Sequence, residues 1–186
     1  MDILAAFGLS ASAGLNAYIP LLVVSLLARF TDLIELSKPW SVLESWWIIG
    51  LLIVLSLVEF FADKVPAVNH VNDIIQTIIR PTAGAILFAA SAHVITEIHP
   101  VISIAAGLLI AGSVHVVKAA AVRPAVTAAT GGTANIPVSI LEDVISTTLS
   151  LLSVILPVVV GIVLLILAIW IIWWLTRRSM RKPSQP

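Results

Sequence analysis

Charged side chains interrupt an otherwise apolar chain at a few positions, and their spacing indicates polar chemistry inside a membrane. Glu59 and Asp63 are four residues apart, which places both carboxylates on one face of a helix. Both lie toward the end of their apolar segment, where the helix dipole disfavours acids. Arg80 lies inside the apolar segment 74–95, where an unpaired charge costs at least about 2.5–3.5 kcal/mol. We therefore expect Arg80 to pair with Asp73, on the same helix face, or with a carboxylate of the preceding helix.

Two cations and two acids in the second half of the chain complete the set of candidates. Lys118 and Arg123 end the apolar stretch 101–128, so they either reach the membrane interface along their aliphatic stems or belong to a polar site. Acids and bases are nearly balanced in number, so they could neutralise one another inside a bundle. The predicted transport or polar site consists of Glu59, Asp63, Lys64, Asp73, Arg80, Lys118, Arg123, Glu142 and Asp143.

Some of these acids have an alternative role as helix caps. Asp73, followed three residues later by Gln76, resembles a capping box, and Ser139 with Glu142 matches its S-x-x-E form directly. For Asp73, Glu142 and Asp143, capping at the interface and membership of a polar site both remain open.

Small and polar residues also recur at helical spacing. Such stripes either line an aqueous path or let helices pack closely, because small residues permit close approach and hydroxyls bond between helices. The stripes are Gly8, Ser12 and Asn16; Asp73, Thr77, Arg80 and Gly84; and Ser139, Asp143, Ser146, Ser150, Ser153 and Pro157. We expect helix breaks or close packing at Asn16, Pro81, Gly84, Ser150 and Pro157.

Composition places these residues in an integral membrane protein. Of the 186 residues, 60% are hydrophobic and 11% are charged, whereas a soluble domain is about a quarter charged. The formal net charge is zero, which argues against nucleic acid as a partner. The expected partners are the lipid bilayer, a small ion or polar solute, and a second copy of the chain.

Motifs for enzymatic chemistry are scarce. Without cysteine the chain has no disulfides, thiolate metal sites or thiol nucleophiles, and its four histidines lack metal-ligand spacing. We predict no metal, no cofactor and no catalytic residue. The stretch "TAATGGTANIP", residues 127–137, predicts a turn and lacks the Gly-Lys-Ser/Thr ending of a phosphate loop.

The elements that must hold the charges are membrane helices. Spanning takes about 20 apolar residues as helix. Pro157 removes a backbone donor near the middle of the last apolar block, which is either one broken helix or two helices. We predict an all-α polytopic bundle of five or six membrane segments, drawn from 3–28, 46–63, 74–95, 101–128 and 137–175. It forms one transmembrane domain, 1–176, followed by a basic tail, 177–186, that the positive-inside rule places in the cytoplasm.

A weak internal repeat divides the chain into halves, 1–97 and 98–176. Three helical segments in each half would reverse the orientation of the second half, the inverted-repeat plan of many transporters. Chance similarity between short apolar strings is the alternative. The matching pairs are "AGLNA" with "AAVRP", "VEFFAD" with "VSILED", and "IIRPTAGAILF" with "VILPVVVGIVL".

Four stretches together give a family resemblance: "GLSASAGLNAYIPLL", "ADKVPAVNHVNDIIQTIIRPTAGA", "KAAAVRPAVTAATGGTANIP" and "SILEDV". From about Leu4 to Leu165 the chain resembles the small bacterial integral membrane proteins of domain of unknown function 4126. A basic residue is expected in that family where this chain has Asn16. The resemblance implies a membrane architecture and no particular activity. The elements D-K-x-P, R-P-x-x-G and E-D correspond here to Asp63, Lys64, Pro66, Arg80, Pro81, Gly84, Glu142 and Asp143.

Broken helices that carry charges are how membrane proteins build polar sites in apolar surroundings. We therefore interpret the chain as a transporter or channel for a small ion or polar solute in a bacterial inner membrane. A structural or assembly protein with packed intramembrane salt bridges is the alternative. A lipid-handling protein is a third class, which would require lipid turnover or scrambling that depends on Asp63 or Arg80.

Overall fold

All regular structure in the described part of the chain is helical. The computed structural model describes residues 3–64, 66–92 and 99–180, without the side chains of 66–71, 73, 92, 175 and 178–180. The α-helices are α1 (Ile3–Leu15), α2 (Tyr18–Phe30), α3 (Trp46–Ala62), α4 (Pro66–Ala92), α5 (Pro100–Val117), α6 (Arg123–Thr130), α7 (Asn135–Ile155) and α8 (Pro157–Met180). A short 3-10 helix, Trp40–Glu44, precedes α3. The prediction of an all-α bundle is confirmed.

The first apolar segment is not one helix over 3–28 but two helices that meet at Asn16, one of the positions where a helix break or close packing is expected. The Asn16 side chain causes the division: its Oδ1 accepts hydrogen bonds from the backbone N–H groups of Tyr18 and Ile19, at 3.1 and 3.0 Å. These are free donors at the start of α2, and an Asn side chain satisfies them as a helix cap does.

The two prolines that were predicted to break helices behave differently. Helix α4 continues through Pro81, so the predicted break there is wrong. At Pro157 the prediction of a break holds, because α7 ends at Ile155 and Leu156 leaves the helical conformation before α8 begins. Proline removes a backbone donor in both places. At Pro157, the first residue of α8, that donor would have no partner inside the helix, whereas at Pro81 one hydrogen bond of α4 is lost.

Helix α5 does not end at its cations. Residues Lys118–Val122 form a π-helical segment that joins α5 directly to α6, so the helical path from Pro100 to Thr130 is unbroken. It ends at Gly131 and Gly132, which have φ values of 61° and 90° and form the predicted turn. Such single-turn π segments are frequent at functional sites.

Helix α1 lies at the centre of the bundle and packs against α4, α5, α7 and α8. The Ser10 hydroxyl donates to the Gly84 carbonyl of α4, 3.0 Å away. A Cβ added to Gly84 would lie 2.8 Å from the Gly107 carbonyl oxygen of α5 and closer still to the Ala111 side chain. The absence of side chains at Gly84 and Gly107 therefore lets α4 and α5 approach closely.

The serine stripe of α7 packs along α1. Ser12 Oγ donates to the Ser146 carbonyl at 2.8 Å and lies 2.7 Å from Ser150 Oγ. One turn away, a Cβ on Gly8 would collide with the Ser153 hydroxyl. The four serines are fully buried. Of the two alternatives for this stripe, close helix packing is the one observed.

The bundle presents mainly apolar side chains to its surroundings. Four helical stretches in the described ranges are long and apolar enough to cross a membrane, and α3, with 17 residues, is at the lower limit of about 17–25. Helices α1 and α2, with 13 residues each, are shorter. The chain is thus a multi-pass helical membrane protein. The four stretches are Ile74–Ser91, Pro100–Thr130, Asn135–Ile155 and Pro157–Trp174.

The domain boundaries remain predictions. Residues 93–98, where the two half-repeats would meet, and 181–186 of the basic tail lie outside the described residues, and 177–180 continue α8. The inverted repeat itself also remains a prediction.

Candidate functional site

Three charged residues of α3 and α4 form the most deeply buried part of the site. Glu59 comes from the last turn of α3, and Asp63 follows that helix directly. Arg80 Nη2 lies 2.9 Å from Glu59 Oε1 and 3.7 Å from Asp63 Oδ2. The side chains of Arg80 and Glu59 are 0% exposed and that of Asp63 is 2% exposed. The predicted pairing of Arg80 with a carboxylate of the preceding helix is observed, whereas the Asp73 side chain lies outside the described residues.

The π segment brings two more cations to Asp63. Lys118 Nζ lies 3.9 Å from Asp63 Oδ2 and 2.8 Å from Glu142 Oε2. Arg123 Nη2 lies 3.1 Å and 3.6 Å from the same two oxygens. Lys118 also donates to the Leu15 carbonyl at the end of α1. The two cations therefore bridge the acids of α3 and α7 and do not simply extend to the membrane interface.

A further ion pair completes this network. Lys64 Nζ is 3.2 Å from Asp143 Oδ2, and Asn16 Nδ2 donates to Asp143 Oδ1 at 3.0 Å. Asn16 thus caps α2 with its oxygen and holds Asp143 with its nitrogen. Where the family resemblance predicts a base, this chain supplies a neutral donor to the same cluster.

Sequence reasoning did not assign a role to His115, which the fold brings against Arg80. His115 Nδ1 lies 3.2 Å from Arg80 Nη1, and its Nε2 lies 3.2 Å from Thr77 Oγ1. A guanidinium only donates, so Nδ1 must accept, and the proton of a neutral His115 is then on Nε2. The signal in the sequence was its position one turn before Lys118, on the same helix face.

The described charges of the site balance. Glu59, Asp63, Glu142 and Asp143 face Lys64, Arg80, Lys118 and Arg123, and each of the eight takes part in an ion pair. Asp73 lies inside α4, but its side chain is outside the described set. No group of three or more acidic or histidine side chains among those described could hold a metal ion.

Asp63 is the centre of the network. Burial by itself would raise the pKa of Asp63, but the positive charges of Lys118, Arg123 and Arg80 outweigh it and hold that pKa below its ordinary value. The Asn72 amide, which donates to Asp63 Oδ1 at 2.6 Å, acts in the same direction. Asp63 is therefore the ionised anchor of three cations.

A cavity of about 330 Å³ adjoins the network. Its lining consists of Asp63 and Lys64, the turn residues Gly131, Gly132 and Thr133, and Asn135 and Ile136 at the start of α7. The glycines of that turn adopt positive φ values that side-chain-bearing residues rarely adopt. The turn thus leaves room next to a carboxylate that is part of the buried network.

The capping predictions are wrong. Helix α7 begins at Asn135, so Ser139, Glu142 and Asp143 lie inside it and are buried against the bundle. Helix α4 begins at Pro66, so Asp73 does not start a helix. A capping motif describes only local spacing, and the tertiary fold uses Glu142 and Asp143 as ion-pair partners instead.

Neither a curated protein nor a solved structure matches the chain significantly. One protein family does match, over residues 3–178, which include α1 to α7, most of α8 and every charged residue of the site. The chain therefore belongs to the family described as Domain of unknown function (DUF4126).

Proposed function

We propose that this protein is a transporter for a small ion or polar solute, acting in the inner membrane of a bacterium with its C-terminus in the cytoplasm. The supporting observation is the network of four acids and four bases inside an otherwise apolar bundle. Apolar residues of similar volume would often stabilise a protein as well as or better than a buried ion pair. Stability alone therefore does not account for eight such side chains.

The cavity beside Asp63 is the proposed entrance. It connects the turn between α6 and α7 with the carboxylate that anchors three cations. Gly84 lies one turn beyond Arg80 on α4. At that level the Ser10 hydroxyl bonds to the Gly84 carbonyl and Gly84 approaches Gly107 closely, so the bundle is closed there. The arrangement supports a state open toward one side of the membrane and closed toward the other.

Thiol labelling tests this function, because the chain has no cysteine of its own. Single cysteines replace Thr133 at the cavity, Ser10 in the closed layer and Ser150 between α1 and α7. A transporter that opens alternately to each side predicts rapid labelling of Thr133→Cys by a membrane-impermeant reagent from one side. It also predicts slower labelling of Ser10→Cys from the opposite side.

Ser150→Cys is the matched control, because Ser10 and Ser150 are both fully buried. Ser10 belongs to α1, and Ser150 contacts Ser12 of α1. Ser150→Cys should stay unlabelled, which shows that the reactivity of Ser10→Cys does not come from unfolding. If Ser10→Cys reacted from neither side of the membrane, the result would contradict transport. Flux of candidate ions into liposomes would follow a positive result.

A structural or assembly role is the second candidate, and the sealed contact of α1 with α7 favours it. Ser12, Ser146 and Ser150 bond with one another without exposure, as in a rigid bundle. In that role a second copy of the chain would pack on the apolar side chains of α8, most of which are exposed. This function predicts silence at both buried cysteines and a stable homo-oligomer in mild detergent.

A further inference from the structure

Two buried oxygen atoms near Arg80 lack hydrogen-bond donors among the described residues. They are Glu59 Oε2 and Gln76 Oε1, in side chains that are 1% and 2% exposed. Gln76 lies one turn before Arg80 on the same face of α4, and the Tyr18 side chain neighbours both Gln76 and Glu59. Buried polar atoms normally have partners, and these two acceptors require a donor or a cation: a water molecule, a proton on the carboxylate or a metal ion.

The surrounding charges distinguish the metal ion from the proton. Arg80 already lies 2.9 Å from Glu59 Oε1, so a metal cation at Oε2 would be placed next to a buried guanidinium. A proton adds no second cation, because it neutralises the carboxylate it binds. Arg80 would still be balanced by Asp63, 3.7 Å away.

We propose that Glu59 is a proton-binding site whose loading drives the transport cycle. A hydronium ion entering through the cavity transfers its proton to Glu59 Oε2, forming an O–H bond and leaving water. The carboxyl becomes neutral, and the Arg80 guanidinium turns toward Asp63. This inference rests on the proposed function, and it identifies the proton as the coupling ion.

The other titratable groups around Glu59 fit this assignment. Asp63, on the same element, faces the cations Arg80, Lys118 and Arg123 and accepts from an amide, so it stays ionised. Among the described ion pairs, Glu59 has Arg80 as its one partner. Lys118 of the π segment and Tyr18 of α2 also face Glu59, and His115 of α5 faces Arg80. Glu59 is the acid of the site with the weakest support for its negative charge.

Infrared difference spectroscopy of the protein in liposomes tests the proposal, because a protonated carboxyl has a carbonyl stretch that shifts in D₂O. Acidification that stays above the ordinary carboxyl pKa of about 4, where exposed acids remain ionised, should produce this band in the unmodified chain, and Glu59→Gln should abolish it. Glu142→Gln is the matched control, since Glu142 is a buried acid of the same network with two cations near it. The band should persist there. A band that persists in Glu59→Gln, or no band at all, would overturn the assignment.

Gln76→Leu provides an independent test if Glu59→Gln does not fold. It keeps every charge but removes the acceptor for the new O–H group, so the band should appear at a pH lower by about one unit or less, the effect of one hydrogen bond. If the band appeared at the same pH in Gln76→Leu, the hydrogen bond between protonated Glu59 and Gln76 would be contradicted. If Ser10→Cys is labelled but no carboxyl band appears, the proposed transport function stands and the proton is not the coupling ion. If the band appears but Ser10→Cys is not labelled, both transport and the coupling role of Glu59 are refuted.

Discussion

Replacing Arg80 with methionine should destabilise the bundle by about 3–5 kcal/mol, because removing one partner of a buried ion pair leaves the other charge uncompensated. Asp63 would keep Lys118 and Arg123, at 3.9 and 3.1 Å. Glu59 would lose its one ion-pair partner in the described structure. The four acids of the network would face three bases. Most of the loss therefore comes from Glu59.

The double variant Glu59→Leu with Arg80→Met isolates that effect. It removes both charges, leaves three acids and three bases, and fills the space with apolar atoms, so it should be more stable than Arg80→Met alone. Replacing a whole buried pair by apolar residues is often neutral or stabilising. The stability of Arg80→Met should also recover partly at low pH, because a protonated Glu59 carries no charge.

Unfolding by denaturant in detergent micelles would measure these differences, with the two single variants completing a double-mutant cycle. Arg29→Met serves as the surface control. Arg29 donates to the Glu44 carbonyl and lies over the Trp46 ring at an exposed site, so its loss should cost no more than about 1 kcal/mol. If the double variant lost the sum of the two single losses, the pair would not be coupled, and the reasoning would be refuted.

Two further predictions concern packing and pH. Gly84→Ala should lose about 1–3 kcal/mol in the same assay, because its methyl group overlaps α5. Gly50→Ala, with no atom within 4 Å of the new Cβ, should instead gain up to about 1 kcal/mol from helix propensity, and equal effects would contradict the packing argument. Because the pKa of Asp63 is held below its ordinary value of about 4, its stabilising contribution should be complete above that value and lost as the pH falls through the lower folded-state pKa. Asp63→Asn should weaken this loss of stability at acid pH when the free energy of unfolding is measured against pH. An unchanged loss would contradict the role of Asp63.

Local patterns in the sequence were enough to predict the class of structure and the eight charged residues that form ion pairs in the cluster. Hydropathy identified the membrane helices, and the cost of an unpaired charge in an apolar segment required partners for Arg80. The two glycines at 131 and 132 predicted a turn because few other residues adopt positive φ. Each of these inferences depends only on neighbours along the chain and on the solvent.

The same patterns misjudged the places where distant contacts decide the outcome. The S-x-x-E spacing of Ser139 and Glu142 is that of a cap, but α7 begins earlier and buries both residues. Pro81 has the chemistry of a helix breaker and lies inside a continuous helix. Asn16 interrupts an apolar segment that hydropathy alone joins into one helix.

Sequence by itself determined that this protein lies in a membrane, that it is helical, and that its intramembrane charges must be paired. Only the tertiary structure decided which charges pair, that His115 joins them, and that a cavity reaches Asp63. The Asn16–Asp143 bond joins residues 127 positions apart, and the Lys118–Glu142 pair joins two helices through a π segment. The physical reason is that opposite charge shows which residues can pair but not which acid pairs with which base. The packing of glycine and serine surfaces decides which helices meet and at what register.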